Sequence, residues 1–338
     1  MTHPDLASKL RKLHALSAAL VFAGIIGSAT VTQAAPAYPE RPVRIVVPYG
    51  PKSDTAGYTR LLVTAARKVI ASSEFIEDHR VGDSGAIAAS EVKLAPADGY
   101  TLLMGRVGSQ VIAPALKPSL PYRWNDFTFI GVVEIDPLLC AVRSDSPYTS
   151  ARELMHALRV APGTLKYSHS GTGTIQNVSA QYLMRLAGAK FGSVEGVSFP
   201  GGPEAATALI AGQVNFLCSN AASLVQPIKD GKLRPLFTTA PGRMPGLPDV
   251  PNAREVGLRD LSTLNGWSVL VGPPGLPAPV IARWREALRQ VAKDPGWVAA
   301  MTERGAMPAI GTTKDSERFI KEQAEFYERL APLLRAQQ

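Results

Sequence analysis

Apolar positions recur at two periods that alternate along the chain from residue 43 to its end. Short β-branched runs read as buried parallel strands, and longer stretches with apolar residues three or four apart read as helices with one packed face. Val43–Val47 is the first such strand, ended by Pro48, and Leu61, Leu62, Ala65, Ala66, Val69 and Ile70 then recur at helical spacing. Further strands are predicted at 75–77, 100–104, 129–133, 165–168 and 214–218, with helices near 85–94, 150–159, 175–187 and 203–211. Pro279 suits a first helical turn; Val280, Trp284, Leu288 and Val291 line one face behind it, and Pro295 is expected to stop that helix. A last helix sets Ile320, Ala324, Tyr327, Ala331 and Leu334 in one stripe opposite Lys, Glu and Arg. Stripes of this kind are core packing rather than cofactor boxes. The alternation predicts an α/β protein with doubly wound sheets, whose ligands lie at the carboxyl ends of the strands.

The first 37 residues break this pattern. Lys9, Arg11 and Lys12 precede a stretch, 13–38, without Asp, Glu, Lys or Arg, and small residues Ala34-Ala35-Pro36-Ala37 follow. That order is the secretory pattern, so 1–37 reads as a cleaved signal peptide and the mature protein as periplasmic. Gly24, Gly27 and Ser28 interrupt the apolar stretch and argue against a retained anchor. The remaining chain, roughly 300 residues, is too long for one core and suits two lobes. No later stretch is long and apolar enough to span a bilayer. Loss of the leader lowers the net charge from +8 to +6. The basic residues are dispersed and not interleaved with aromatics, which argues against nucleic acid, while a mildly positive surface suits an anionic ligand. Cys140 and Cys218 could be bridged in an oxidising compartment, but each sits in an apolar strand-like run, and the pair reads as buried free thiols. After cleavage His79, His156 and His169 remain, none spaced as a ligand pair, so neither metal nor cofactor is expected.

Three loops at strand ends could carry chemistry: 48–55, 105–110 and 168–174. The third has the clearest physical logic. Gly171 and Gly173 let backbone approach a ligand, Thr174 can cap the helix beginning near Ile175, and the first-turn amides favour an anion. Ser170 and Thr172 add hydroxyls. Taken alone, the Gly-Thr-Gly-Thr string reads as an ordinary capped turn; it lacks the endings of a P-loop or a dinucleotide fingerprint. His169 reads as a strand-end side chain turned from the cleft, and Lys52 either pairs with an anion or reaches into solvent. Gly82-Asp83-Ser84-Gly85 is similar to a protease nucleophile stretch, but those enzymes are all-β and a triad is a matter of geometry, so it reads as a turn. No catalytic residue is assigned.

Together the segments resemble the Bug family, the periplasmic receptors of tripartite tricarboxylate transporters. The likeness runs in order from Tyr38-Pro39-Glu40-Arg41-Pro42 through Ala97-Asp98-Gly99-Tyr100 and Leu120-Pro121-Tyr122 to Gly231-Lys232-Leu233-Arg234 and Leu247-Pro248-Asp249-Val250-Pro251. The resemblance implies a type II periplasmic-binding-protein fold: two doubly wound α/β lobes, a two-segment hinge and a cleft between them. Lobe 1 would be 38–135 and 264–338, lobe 2 would be 136–263, and the hinge crossings would lie near Asp136 and Thr263. The implied activity is capture of a small aliphatic or aromatic carboxylate by a monomeric receptor, for delivery to membrane transporter subunits. A receptor reporting to a membrane sensor is the alternative, and a hydrolase a third. The expected ligand contacts are Tyr49, Lys52, Ser53, Asp54, Thr55, Ser109, Gln110, Ser170, Gly171, Thr172, Gly173, Thr174, Asn177, Phe199 and Asn220, with apolar contact from Tyr49, Phe199 or Trp267. This chain departs from the family's pattern: the glycine-rich first loop becomes Pro51-Lys52-Ser53-Asp54, the usual Asp falls on Ala56, the usual His on Asn177, and an aspartate near Ser219 is absent. Lys52 points to direct charge pairing with the ligand, Asp54 alternatively to holding an amine.

Overall fold

Val43–Val47 forms β1, and all of its residues but Arg44 are buried because helices cover both faces. Val43 and Ile45 pack on α1 (Asp54–Arg67) through Tyr58 and Leu62, while Val46 packs on α2 (Ala86–Lys93) through Ala86, Ala89 and Val92. Between the helices lies β2 (Phe75–His79), and after them β3 (Thr101–Arg106), a π-type turn at Gly108–Ile112 and the short α3 (Ala113–Leu116). The computed structural model describes residues 38–70, 74–190 and 192–335; the expected signal peptide lies outside the described residues.

The chain continues through β4 (Thr128–Arg143), α4 (Ala151–Val160), β5 (Lys166–His169), α5 (Ile175–Leu186), β6 (Glu195–Ser198), α6 (Gly202–Ile210), β7 (Phe216–Asn220), α7 (Ala221–Lys229) and β8 (Leu233–Thr238). It returns through β9 (Asn265–Gly272), α8 (Ala278–Val291), α9 (Pro295–Glu303), β10 (Met307–Pro308) and α10 (Thr313–Arg335). The strand order is β2-β1-β3-β9-β4-β7-β5-β6, with β8 and β10 also pairing β4. β2, β1 and β3 are parallel; β9 runs antiparallel to β3 and to β4 from Thr128 to Pro137. From Leu138 onward β4 pairs instead with β7 and β8, and β5 lies parallel to β6 and β7. One strand therefore serves two sheets, and each sheet with its helices makes a lobe.

The expected strand at 129–133 is thus part of a much longer one, because Asp136 and Pro137 interrupt the apolar pattern without ending the extended backbone. β6, β8, β9 and α7 carried weak signals: Gly196, the Arg234-Pro235 pair, Gly266 with Ser268, and Pro227 inside the helix dilute their periodicity. Pro295 does not simply stop a helix. α8 ends at Val291, and Asp294 caps α9 by accepting from the Gly296 and Trp297 amides at 2.8 and 3.1 Å, which makes Pro295 the first residue of the new helix. Cys140 and Cys218 are disulfide-bonded, not free: antiparallel β4 and β7 place them directly opposite, 4.0 Å apart at Cα. The stripes Val280-Trp284-Leu288-Val291 and Ile320-Ala324-Tyr327-Ala331-Leu334 are buried as expected. Fully burying an aliphatic side chain of this size stabilises by roughly 1.5–3 kcal/mol. Among the described residues, no helix is long and apolar enough to cross a membrane.

Candidate functional site

Four helices start at the cleft between the lobes, each just beyond the carboxyl end of a strand: α1 after β1, α5 after β5, α6 after β6 and α7 after β7. Their first residues line one inner chamber of about 40 Å³: Ser53, Asp54 and Thr55; Thr174, Ile175 and Gln176; Gly201 and Gly202; and Asn220. Only α1 carries a side-chain cap there, the Ser53 hydroxyl accepting from the Ala56 amide at 3.3 Å. Thr174, Gly201 and Asn220 stand at the starts of α5, α6 and α7 without a capping bond. Thr174, expected to cap, instead donates its hydroxyl to the Gly171 carbonyl at 2.7 Å, because the loop folds back on itself. None of these three starts is capped by its own N-cap residue at this chamber, and at α7 the Asp136 carboxylate takes the Ala222 amide. Each helix start is equivalent to roughly half a positive charge, so together they favour an anion.

The chamber opens into an outer one of about 510 Å³ that shares Tyr49, Ser170 and Pro200 with it. Gly171, Thr172, Gly173 and Phe199 from one lobe and the 81–85 turn with Leu116 and Lys117 from the other line this mouth. The lobes touch here: Ser84 Oγ donates to the Thr172 carbonyl, and Tyr49 Oη holds the Ser84 carbonyl at 3.0 Å. The 82–85 turn, expected only to lead into a helix, is therefore part of the cleft wall.

Beneath the inner chamber lies a buried charge cluster. Arg106, which lines the chamber and is 5% exposed, donates to Glu134 at 2.8 Å, to Ser268 at 3.2 Å and to Asp136 at 3.4 Å. Two acids share one guanidinium, and Glu134 Oε2 and Asp136 Oδ1 have no hydrogen-bond partner. Burial pushes the Glu134 carboxyl up to about 8 against the pull of Arg106, and burial also raises Asp136. Asp54, in the first turn of α1, accepts from Ser223 Oγ of α7 at 2.8 and 3.0 Å, bridging the lobes. Burial, then the neighbouring Asp136, pushes Asp54 up to about 6.

Of the expected contacts, Tyr49, Ser53, Asp54, Thr55, Ser170, Thr174 and Asn220 line the inner chamber, and Gly171, Thr172, Gly173 and Phe199 the outer one. Lys52, Ser109, Gln110 and Asn177 line neither. Lys52 is exposed, as the solvent reading had it. Ser109 is wholly buried, its hydroxyl accepting from the Arg106 amide at 3.0 Å and donating to the Arg106 carbonyl at 3.1 Å. Gln110 is buried beneath it, and Asn177 donates to Tyr167 Oη at 2.9 Å. Trp267 is wholly buried and donates to Gln323 at 3.2 Å, away from the cleft. His169 turns inward, its Nδ1 accepting from the Gly171 amide at 3.0 Å, and burial lowers its pKa toward the neutral form. The lining residues missed include Arg106, Gly201 and Gly202. Their signals were position alone: the last residue of a strand, and a glycine pair opening a helix.

A family model described as "Tripartite tricarboxylate transporter family receptor" matches residues 59–335. Among solved structures, MatC (Rpa3494) from Rhodopseudomonas palustris, with bound malate, is 28% identical; the match covers 87% of this chain and 100% of that one, at a TM-score of 0.79. Rpa4515 of R. palustris, with adipate, is 26% identical over 88% of this chain and 98% of its own, at a TM-score of 0.80. The periplasmic binding protein BugD is 25% identical with the same coverage and a TM-score of 0.80.

Proposed function

Because the chain belongs to the tripartite tricarboxylate transporter receptor family, we propose that its cleft captures a small carboxylate in the periplasm and passes it to transporter subunits in the membrane. The observation that carries this reading is the convergence on one chamber of three helix starts whose own N-cap residues make no capping bond. A carboxylate there accepts from fixed amides whose orientation is already set by the helices. Charge-assisted hydrogen bonds in such a site contribute roughly 1.5–3 kcal/mol each, and two or three suffice for micromolar binding. MatC with malate and Rpa4515 with adipate support the ligand class.

Capture works by closure. The two lobes are taken as 38–135 with 264–338 and as 136–263, hinged where β4 leaves one sheet for the other and where the chain returns before β9. A solute that touches both lobes only when they close stabilises the closed form by its differential affinity. The direct contacts are taken as Tyr49, Ser53, Thr55, Ser170, Thr174, Asn220 and the Gly171–Thr172–Gly173 backbone, on a monomer exported by its 1–37 leader.

Thermal-shift screening of the mature protein against aliphatic and aromatic carboxylates, with native mass spectrometry of freshly purified material, tests capture. The expected result is stoichiometric binding of at least one carboxylate without turnover. Absence of any carboxylate response, or conversion of the bound solute, would refute it. Uptake of that solute in cells lacking the protein separates transport from sensing: unimpaired uptake counts against delivery.

A further inference from the structure

Charge inside the cleft is unevenly supplied. Apart from Asp54, the one charged group lining the inner chamber is Arg106, and its guanidinium is already shared between Glu134 and Asp136. At the mouth, Lys117 is paired with Asp83. The cleft therefore offers an anion helix-start amides but no unpaired cation among its lining residues. One of those helix starts is already engaged. The Asp54 carboxylate reaches across from α1 and accepts from Ser223, in the first turn of α7, at 2.8 and 3.0 Å. The protein itself thus places one carboxylate among the positive ends of the cleft, against Gly202 at the start of α6 as well as Ser223 of α7, and a solute carboxylate fits against the start of α5.

Resting on the carboxylate-capture reading, we infer that Asp54 takes the place of a second ligand carboxylate, so that this receptor selects monocarboxylates, with a neutral or cationic far end, over dicarboxylates. A second anionic group that enters the inner chamber meets Asp54 at close range, and the cations acting on Asp54 are Arg106, already shared with Glu134 and Asp136, and Arg304, which does not line the chamber. Like charges a few ångströms apart in a partly desolvated site weaken binding strongly, and the discrimination expected here is about tenfold or more. The inner chamber measures about 40 Å³, so any acid group that enters it lies close to Asp54.

The test uses matched acids on the mature protein: butyrate against succinate, hexanoate against adipate and benzoate against terephthalate, titrated calorimetrically. The measurements are made well above pH 6, where Asp54 is ionised. The expected result is that the monoacid of the best-fitting pair binds at least about tenfold tighter than its diacid. Asp54→Asn, which keeps an acceptor for Ser223, should close most of that gap, and Asp54→Gly should do the same if the amide variant folds poorly. A diacid preference in the wild-type protein, or a monoacid preference unchanged in both variants, overturns the inference while leaving carboxylate capture standing. No response to any acid of either series removes the capture reading itself, and the inference with it.

Discussion

Arg106 has two buried acids to neutralise, and the arithmetic leaves one of them over. Glu134 is wholly buried, and its pushed-up pKa of about 8 says that the excess is relieved by keeping this carboxyl protonated through neutrality. The sign follows from linkage. An acid whose pKa is higher folded than unfolded favours the folded state in its protonated form, so that contribution is complete at low pH. It is lost as pH rises from the ordinary value of 4.5 to about 8, and is level beyond. Within that window the group alone costs on the order of 1 kcal/mol of stability per pH unit. Glu134→Gln keeps an acceptor for Arg106 and cannot ionise. Urea unfolding across the window should therefore show the variant gaining on the wild-type protein as pH rises, and parallel profiles would mean that Glu134 is ionised throughout.

At the scale of elements, the loop from Ser170 to Thr174 does most to aim the site, and Gly173 is its tightest point. Its φ of +79° disfavours any side chain, and an added Cβ would stand 3.2 Å from Leu116 and 3.3 Å from Ser84 Oγ, both on the opposite lobe. A β-branched residue is the least tolerant of this conformation. Gly173→Val should thus tilt the start of α5 and hold the lobes apart, lowering affinity for the best carboxylate by about tenfold or more while the melting temperature falls by only a few degrees. Unchanged affinity would move the site away from this loop. The string of glycines and hydroxyls alone reads as an ordinary capped turn, and the loop was legible through its place between a strand end and a helix start. The stripes of α8 and α10 were legible for the opposite reason, since their apolar spacing has only one packed solution. Lys52, Ser109, Gln110 and Asn177, which line neither chamber, sit beside residues that do, and spacing cannot tell which way a loop side chain turns. Arg106 was hidden likewise: its chemistry depends on Glu134, Asp136 and Ser268, which come from β4 and β9.

For the molecule as a whole, contacts between the lobes include Asp54 on Ser223 at the floor, Ser84 on the Thr172 carbonyl at the mouth, Tyr182 of α5 edge-on to Phe326 of α10 at 6.4 Å between ring centroids, and Gly305 packed on Ala221 and Val225. The Ser84 bond is between neutral groups that water can satisfy in an open cleft and contributes about 1 kcal/mol, while the Asp54 bond is charge-assisted and contributes roughly 1.5–3 kcal/mol. The disulfide joins β4 to β7 within one lobe and does not restrain the hinge. Admission of a solute to an inner chamber this small requires the lobes to open. Ligand then shifts the equilibrium by its differential affinity for the closed form, and apparent affinity scales with the fraction already closed. Ser84→Ala removes a closing contact at a position that need not touch the solute directly. It should raise the radius of gyration of the ligand-free protein in small-angle scattering and weaken apparent binding by about fivefold, while saturating carboxylate returns both proteins to one compact value. If the wild-type radius is the same with and without saturating ligand, the lobes do not close on their solute, and capture by a hinged cleft is the wrong mechanism for this chain.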